Sequence, residues 1–314
     1  MRKIKLKREF SKTFESGFDD FIDSCKARNL REGTIKHYKE SYKSIIRFID
    51  PEIAINSIDE KVFNEFVKDY RDLNVSSQTV YTYSRDLKTI LNFFIRMEYM
   101  KSFKIKLPEV DKTPIETYTD AELKILLKKP DLKKCSFSNY QSWVIINFLL
   151  STGVRLNSLV NIKVKDLDFD NQVVHVNVNV TKNRRPLIIP LNRDMIKILR
   201  EYLKLRDHES IEDSLFSNVY GRKLCQRTLF GMMQTYHNER GIVKTGIHRF
   251  RHTFAKKWIT LGGSVVTLQK ILGHSSLNIT QNYINLLVED IKRDVDKYNI
   301  LEEFNKDTHI KIKK

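Results

Sequence analysis

Two stretches bring together residue types from which chemistry could be built. In residues 246–255, His248, Arg251 and His252 stand at i, i+3 and i+4, which puts two imidazoles and a guanidinium on one face of a helix. Ile247, Phe250, Phe254, Trp258 and Leu261 recur at helical spacing on another face. A guanidinium beside imidazoles can hold an anion and exchange protons near neutral pH. The same spacing also describes an amphipathic helix with a solvated polar side, which is the better reading of this stretch alone. In residues 271–283, Gly273 is placed as a helix stop, because glycine enters the left-handed region without a Cβ clash. Ser275 or Ser276 can cap a following helix with the stripe Leu277, Ile284, Val288 and Ile291, and Tyr283 lies at its edge. Half-buried packing is the ordinary role of such a tyrosine.

The charge narrows the choice of partner. The 314 residues hold 56 Lys and Arg against 39 Asp and Glu, a net charge of +17. A surplus of that size favours a polyanion, since neutralising phosphates releases condensed counterions. With 10 Gly and 6 Pro the chain is not a disordered basic tail, so its charge is expected on folded surfaces. Cys25, Cys135 and Cys225 are odd in number and far apart, which argues against a disulfide framework or a zinc site and fits a reducing cytoplasm. The longest apolar run, residues 143–150, is too short to span a bilayer, and no secretory signal is visible, so neither membrane insertion nor export is expected.

The elements that must position these residues fall into two sets. Helical spacing recurs in Phe14, Phe18, Phe21 and Ile22, then in Tyr38, Tyr42, Ile45, Ile46 and Ile49. It returns in Val62, Phe63, Phe66 and Tyr70, and again in Val80, Tyr83, Leu87, Ile90, Leu91 and Phe94. Ser57 with Glu60 predicts a capping box for the third helix, and a start near Ser76 is predicted for the fourth. Residues 101–118, with Pro108 and Pro114 among charges, read as an extended linker. Beyond it, residues 119–122 open a helix and residues 143–150 form a buried helix ending near Gly153. Alternation predicts strands over 162–169, 174–180 and 187–189, with a turn at Asp170-Asn171. Everything after Asn192 reads as helix. The expected fold is mainly α with one small antiparallel β-sheet. Its expected segments are a basic arm (1–10), a helical domain (11–103), a linker (104–117), a mixed second domain (118–285) and a helical tail (286–314).

Taken in order, the motifs are more specific than any one of them. Ser151-Thr152-Gly153-Val154-Arg155 is followed by Thr181-Lys182-Asn183-Arg184-Arg185, then His248-x-x-Arg251, Leu272-Gly273-His274 and, nine positions later, Tyr283. This series, with a helical first half and a linker, strongly resembles the tyrosine recombinases, or phage integrases, over nearly the whole chain. The resemblance implies a helical core-binding domain joined to a tyrosine-recombinase-like catalytic domain. It also implies a site-specific DNA recombinase acting through a 3′-phosphotyrosyl intermediate, in integration, excision or resolution. Residue by residue, Arg155 matches the first catalytic arginine and Lys182 the lysine of the turn between the second and third strands. His248 and Arg251 match the His-x-x-Arg pair, His274 the second histidine, and Tyr283 the nucleophile. One position departs. The family usually carries an acidic residue three places after the first arginine, where this chain has Ser158.

The implied chemistry is transesterification. A phenol of pKa near 10 attacks a phosphodiester poorly until its proton is removed or its anion stabilised. The resemblance assigns Arg155 and Arg251 to the non-bridging oxygens, His274 to a further hydrogen bond, Lys182 to the leaving 5′-oxygen and His248, or water, to the base-like role. No cofactor and no metal are expected: Asp166, Asp168 and Asp170 read as a solvated sheet face, and no glycine-rich phosphate loop is present. His37, His175, His208, His237 and His309 have no partner motif, and His252 is expected to be structural. Partners implied are double-stranded DNA, gripped by both domains, and three further copies in a tetramer on two synapsed sites. Lys36, Lys43, Arg85 and Lys88 are candidates for phosphate contacts in the helical domain. Residues 286–304 either pack on their own domain or, by family precedent, dock on a neighbouring protomer. No separate arm-binding domain fits before residue 10, so a minimal two-domain recombinase is expected. It is expected in the cytoplasm, associated with the nucleoid, and the Lys-, Ile- and Asn-rich composition favours a bacterial or mobile-element source. The alternatives are a type IB topoisomerase-like DNA relaxation activity and a DNA-binding regulator that no longer cuts.

Overall fold

The computed structural model describes residues 12–111, 116–177, 186–206 and 208–273. The chain divides into two compact units, residues 1–113 and 114–314. Among its described residues the first unit is built from four α-helices, α1 (Phe14–Ala27), α2 (Glu32–Ile45), α3 (Glu60–Asp72) and α4 (Ser77–Arg96). Their inward residues are those of the helical stripes. Phe14, Phe63, Phe66, Leu87, Ile90, Leu91 and Phe94 are all but inaccessible, and Phe18 stacks on Tyr42 with ring centroids 4.0 Å apart. Thr13 and Ser76 cap α1 and α4 through side-chain oxygens that accept from Ser16 N and Thr79 N. The expected capping box on α3 is corrected. Ser57 instead ends a short 3₁₀ turn and donates to Ala54 O, and Asp59 caps α3 by accepting from Val62 N at 3.0 Å. Ile58 between them is buried, so the chain must run inward before the helix can start.

Residues 101–111 form neither helix nor strand, yet they lie along the first unit. Ile105 is buried in its core, with Phe103 and Leu107 packed against it. Lys88 donates to Ile105 O at 2.9 Å, so an ammonium expected at a phosphate is directed to the backbone.

The second unit surrounds α6 (Phe137–Thr152), which packs on α8 (Arg193–Leu205), α9 (Gln226–Asn238) and α10 (Ile247–Thr260). Because α6 has neighbours on several sides, Val144, Ile145, Ile146, Phe148 and Leu149 are all fully buried. A capping box between Thr119 and Glu122 opens α5 (Asp120–Leu126), and α7 (Leu156–Leu159) follows directly on Arg155. The sheet is antiparallel in the order β1 (Leu167–Asp168), β2 (Val173–Val176), β3 (Leu187–Pro190). Its register pairs Leu167 with Val174 and Val174 with Ile189. The strand expected over 162–169 is shorter than its alternation implied. The Asp166 carboxylate accepts from Lys163 N, winding Val164–Asp166 into a 3₁₀ turn, and only Leu167 and Asp168 pair with β2. Residues 208–225, expected to be helical, are a loop fastened by bridges of Lys163 to Ser214 and Ser217 to Lys223. Leu215, Phe216 and Leu224 anchor this loop in the core. The last described helix is α11 (Val265–Leu272).

Candidate active site

Two helix ends meet at the predicted arginines. Gly153 closes α6 with φ +60°, and a Cβ there would collide with the Phe254 ring and come within 2.7 Å of Leu272. Only glycine accepts both the left-handed backbone and this close approach. Gly273 closes α11 in the same way, also at φ +60°. Between them lies α10, whose Ile247, Phe250 and Phe254 are buried in the core. Its polar side is solvated only in part, with His248 exposed and Arg251 buried. Arg251 is only 5% exposed, with one guanidinium nitrogen donating to Gly153 O at 2.6 Å and the other to Leu272 O at 2.8 Å. Arg155, next to the Gly153 turn, donates to Gly273 O at 3.3 Å.

The charge around these arginines is set by the backbone. A carbonyl at a helix C-terminus carries the negative end of the helix dipole, and a cation there is stabilised. The carbonyls of Gly153, Leu272 and Gly273 therefore supply part of the support that a carboxylate side chain would otherwise give. Ser158, at the usual acidic position, is 4% exposed within α7. No Asp or Glu occurs between Asp131 and Asp166, or between Glu239 and Glu289, so α6, α7, α10 and α11 contain none. His248 keeps an exposed surface, and its pKa is lowered by desolvation first and then by the charges of Arg251 and Arg155. It is a neutral imidazole at neutral pH, ready to accept a proton. His252 is lowered by burial and then by His248 and the arginines.

The structure thus brings Arg155, His248 and Arg251 together. Lys182, His274 and Tyr283 lie outside the described residues, as does the segment 286–304, although His274 directly follows Gly273. Two rigid guanidiniums beside a neutral imidazole can hold a phosphate and take up a proton. Among the described residues, no three His, Cys, Asp or Glu side chains are grouped to bind a metal ion. Asp166 and Asp168 have structural partners instead: Asp168 accepts from Asn171 N and closes the turn before β2. The glycine carbonyls were the part that the sequence reading missed, and a Gly immediately after an apolar helix was their only signal.

In the first unit, the sequence reading gave His37 no partner. Its Nε2 lies 2.8 Å from the buried Asp86, which also accepts from Ser41 Oγ at 2.7 Å and from Arg85 at 3.0 Å. Lys43 pairs with Glu40 at 3.4 Å, and Lys36 is exposed.

The chain belongs to the phage integrase family. The family's own pattern matches residues 117–289, and that of the phage integrase SAM-like domain matches residues 13–118. Among curated relatives, the tyrosine recombinase XerC of Leptospira interrogans is 27% identical over 285 residues, covering 87% of this chain and 89% of that protein. The tyrosine recombinase XerA of Saccharolobus solfataricus is 26% identical, covering 92% and 95%. The fold is shared with the Tn1549 transposon integrase in complex with transposon right end DNA, at a TM-score of 0.76 and 20% identity over 91% of this chain and 99% of that one. It is shared too with a lambda integrase dimer bound to a core site, at a TM-score of 0.69 and 17% identity over 87% and 95%.

Proposed function

We propose that this protein is a site-specific DNA recombinase that cuts and rejoins strands through a 3′-phosphotyrosyl intermediate. The observation that carries the reading is the pair Arg155 and Arg251, held by helix-end carbonyls beside a neutral His248. In this reading the Tyr283 oxygen attacks the scissile phosphorus, and the bond to the 5′-oxygen breaks. The phenolic proton passes to His248 or to water, and Lys182 gives a proton to the leaving 5′-oxygen. Arg155, Arg251 and His274 bind the non-bridging oxygens as their charge grows in the transition state. Rejoining runs the same steps backwards with a new 5′-hydroxyl, so the bond energy is kept in the phosphotyrosine.

Duplex DNA is the substrate. The arm (1–10), the helical domain (11–103) and the catalytic domain (118–285) are assigned to gripping it, with the linker (104–117) between the two domains. Residues 286–314 are assigned to docking on a neighbouring copy, which gives a tetramer on two synapsed sites. No helix among the described residues is long and apolar enough to cross a membrane, and the assigned location is the cytoplasmic nucleoid. A nicked suicide substrate tests the chemistry: wild type should form a covalent protein–DNA adduct and Tyr283→Phe should not. An adduct that persisted in the variant would remove Tyr283 from its role. Holliday junctions formed from paired sites would separate recombination from simple relaxation. Synapsis that survived deletion of the residues after Asn285 would defeat the tail assignment.

A further inference from the structure

The helix that carries His248 and Arg251 is fastened on a different side by the first residues of the catalytic unit. All three carboxylates in residues 116–122 face a cation in or just before α10. Glu116 meets Arg249 at 2.5 Å, Glu122 meets Lys244 at 3.4 Å, and Asp120 pairs with Lys257. Tyr118, between them, is 2% exposed. Its N–H donates to Thr253 Oγ1 at 2.9 Å, and its ring packs on Phe250 with centroids 4.6 Å apart. The Arg249 guanidinium lies 5.8 Å over the same ring.

The Tyr118 hydroxyl reaches a second helix. It lies 3.0 Å from Nε2 of His237, a fully buried residue of α9 that the sequence reading had left without a role. His237 Nδ1 contacts Met233 O, so that nitrogen carries the proton and Nε2 accepts from Tyr118. Burial keeps this imidazole neutral. One tyrosine therefore ties α9 to α10 beside Arg249, the residue between His248 and Phe250.

We propose that residues 116–122 act as a strap that sets the position of α10, which makes Tyr118 and Arg249 positioning residues for His248 and Arg251. None of the strap residues touches the reacting atoms in this assignment. They act through α10, where a displacement of about 1 Å can cost on the order of a hundredfold in rate. The strap is also the point at which the chain enters the catalytic unit from the linker, so its hold on α10 couples the chain's entry to the reacting centre.

The inference rests on the recombinase reading, and the test separates the two. Single-turnover adduct formation on the nicked substrate would be measured at saturating DNA, together with the DNA concentration giving half-saturation and the melting temperature. Tyr118→Phe and Arg249→Gln should slow the saturated rate about tenfold, the size expected for one lost buried or charge-assisted hydrogen bond, with half-saturation unchanged within about twofold. Arg249→Lys should recover most of the rate. Glu116→Gln, at an exposed position, should cost no more than about fivefold. Variants that melt earlier but cleave at the wild-type saturated rate would overturn the strap, and so would a loss confined to half-saturation, which would make Arg249 a DNA contact. Wild type that forms no adduct would sink the recombinase reading itself.

Discussion

Arg251→Lys keeps the charge at the candidate site and removes only the planar fork, so it tests whether geometry or charge matters there. In the structure the two terminal nitrogens of Arg251 donate to Gly153 O at 2.6 Å and to Leu272 O at 2.8 Å, in a site 5% exposed. A lysine ammonium is a single point donor and cannot span both carbonyls while also facing a phosphate. At least one charge-assisted hydrogen bond is lost, worth about 1.5–3 kcal/mol. At about 1.4 kcal/mol per factor of ten, that is roughly ten- to a hundredfold. Losing one of the two grips on the phosphate costs a comparable further factor. Adduct formation on a nicked suicide substrate should slow about a hundredfold to ten-thousandfold, with DNA affinity nearly unchanged because the net charge is the same. A variant that cleaved within about threefold of wild type would refute the idea that helix-end carbonyls orient the guanidinium for its work.

Three other outcomes follow from the geometry. Gly153→Ala combines a left-handed backbone with a Cβ driven against Phe254 and Leu272. It should destabilise the second unit by about 2–4 kcal/mol and lower Tm on the order of 10 °C, and an unchanged melt would show that the turn can relax. His237, His248 and His252 all have lowered pKa values, so between those values and the ordinary one near 6.5 the unfolded chain binds more protons. Stability should therefore be complete above that value and decline as pH falls below it; denaturant titrations giving equal stability at pH 7.5 and 5.5 would contradict this. Native thiol labelling should modify Cys225 first, because it is exposed and hydrogen bonds from Thr228 lower its pKa, whereas Cys25 is buried and raised. Mass mapping that found Cys25 labelled as fast as Cys225 would reverse the assignment.

Much of the fold was legible because it is local. The stripes of α1 to α4 and the caps at Ser76 and Thr119 depend on neighbours a few residues away, and the sequence displays those neighbours. The misses came where a short-range pattern met a competing side chain. Asp166 turned the start of a strand into a 3₁₀ turn, and buried Ile58 moved the α3 cap from Ser57 to Asp59. In the candidate site, order and spacing singled out Arg155, His248 and Arg251. Spacing at i, i+3 and i+4 says which residues share a face, but not whether that face meets water.

The order of residue types along the chain determined which side chains were candidates and which segments coil, and its charge favoured a polyanion partner, because charge and periodicity are properties of the sequence itself. Only the folded molecule decided that Arg251, on the polar side of α10, is buried. The ends of α6 and α11, more than a hundred residues apart, must arrive there before their carbonyls can hold Arg155 and Arg251. The pairing of Tyr118 with His237 across 119 residues is of the same kind. Such contacts depend on long-range packing, and no local pattern encodes them.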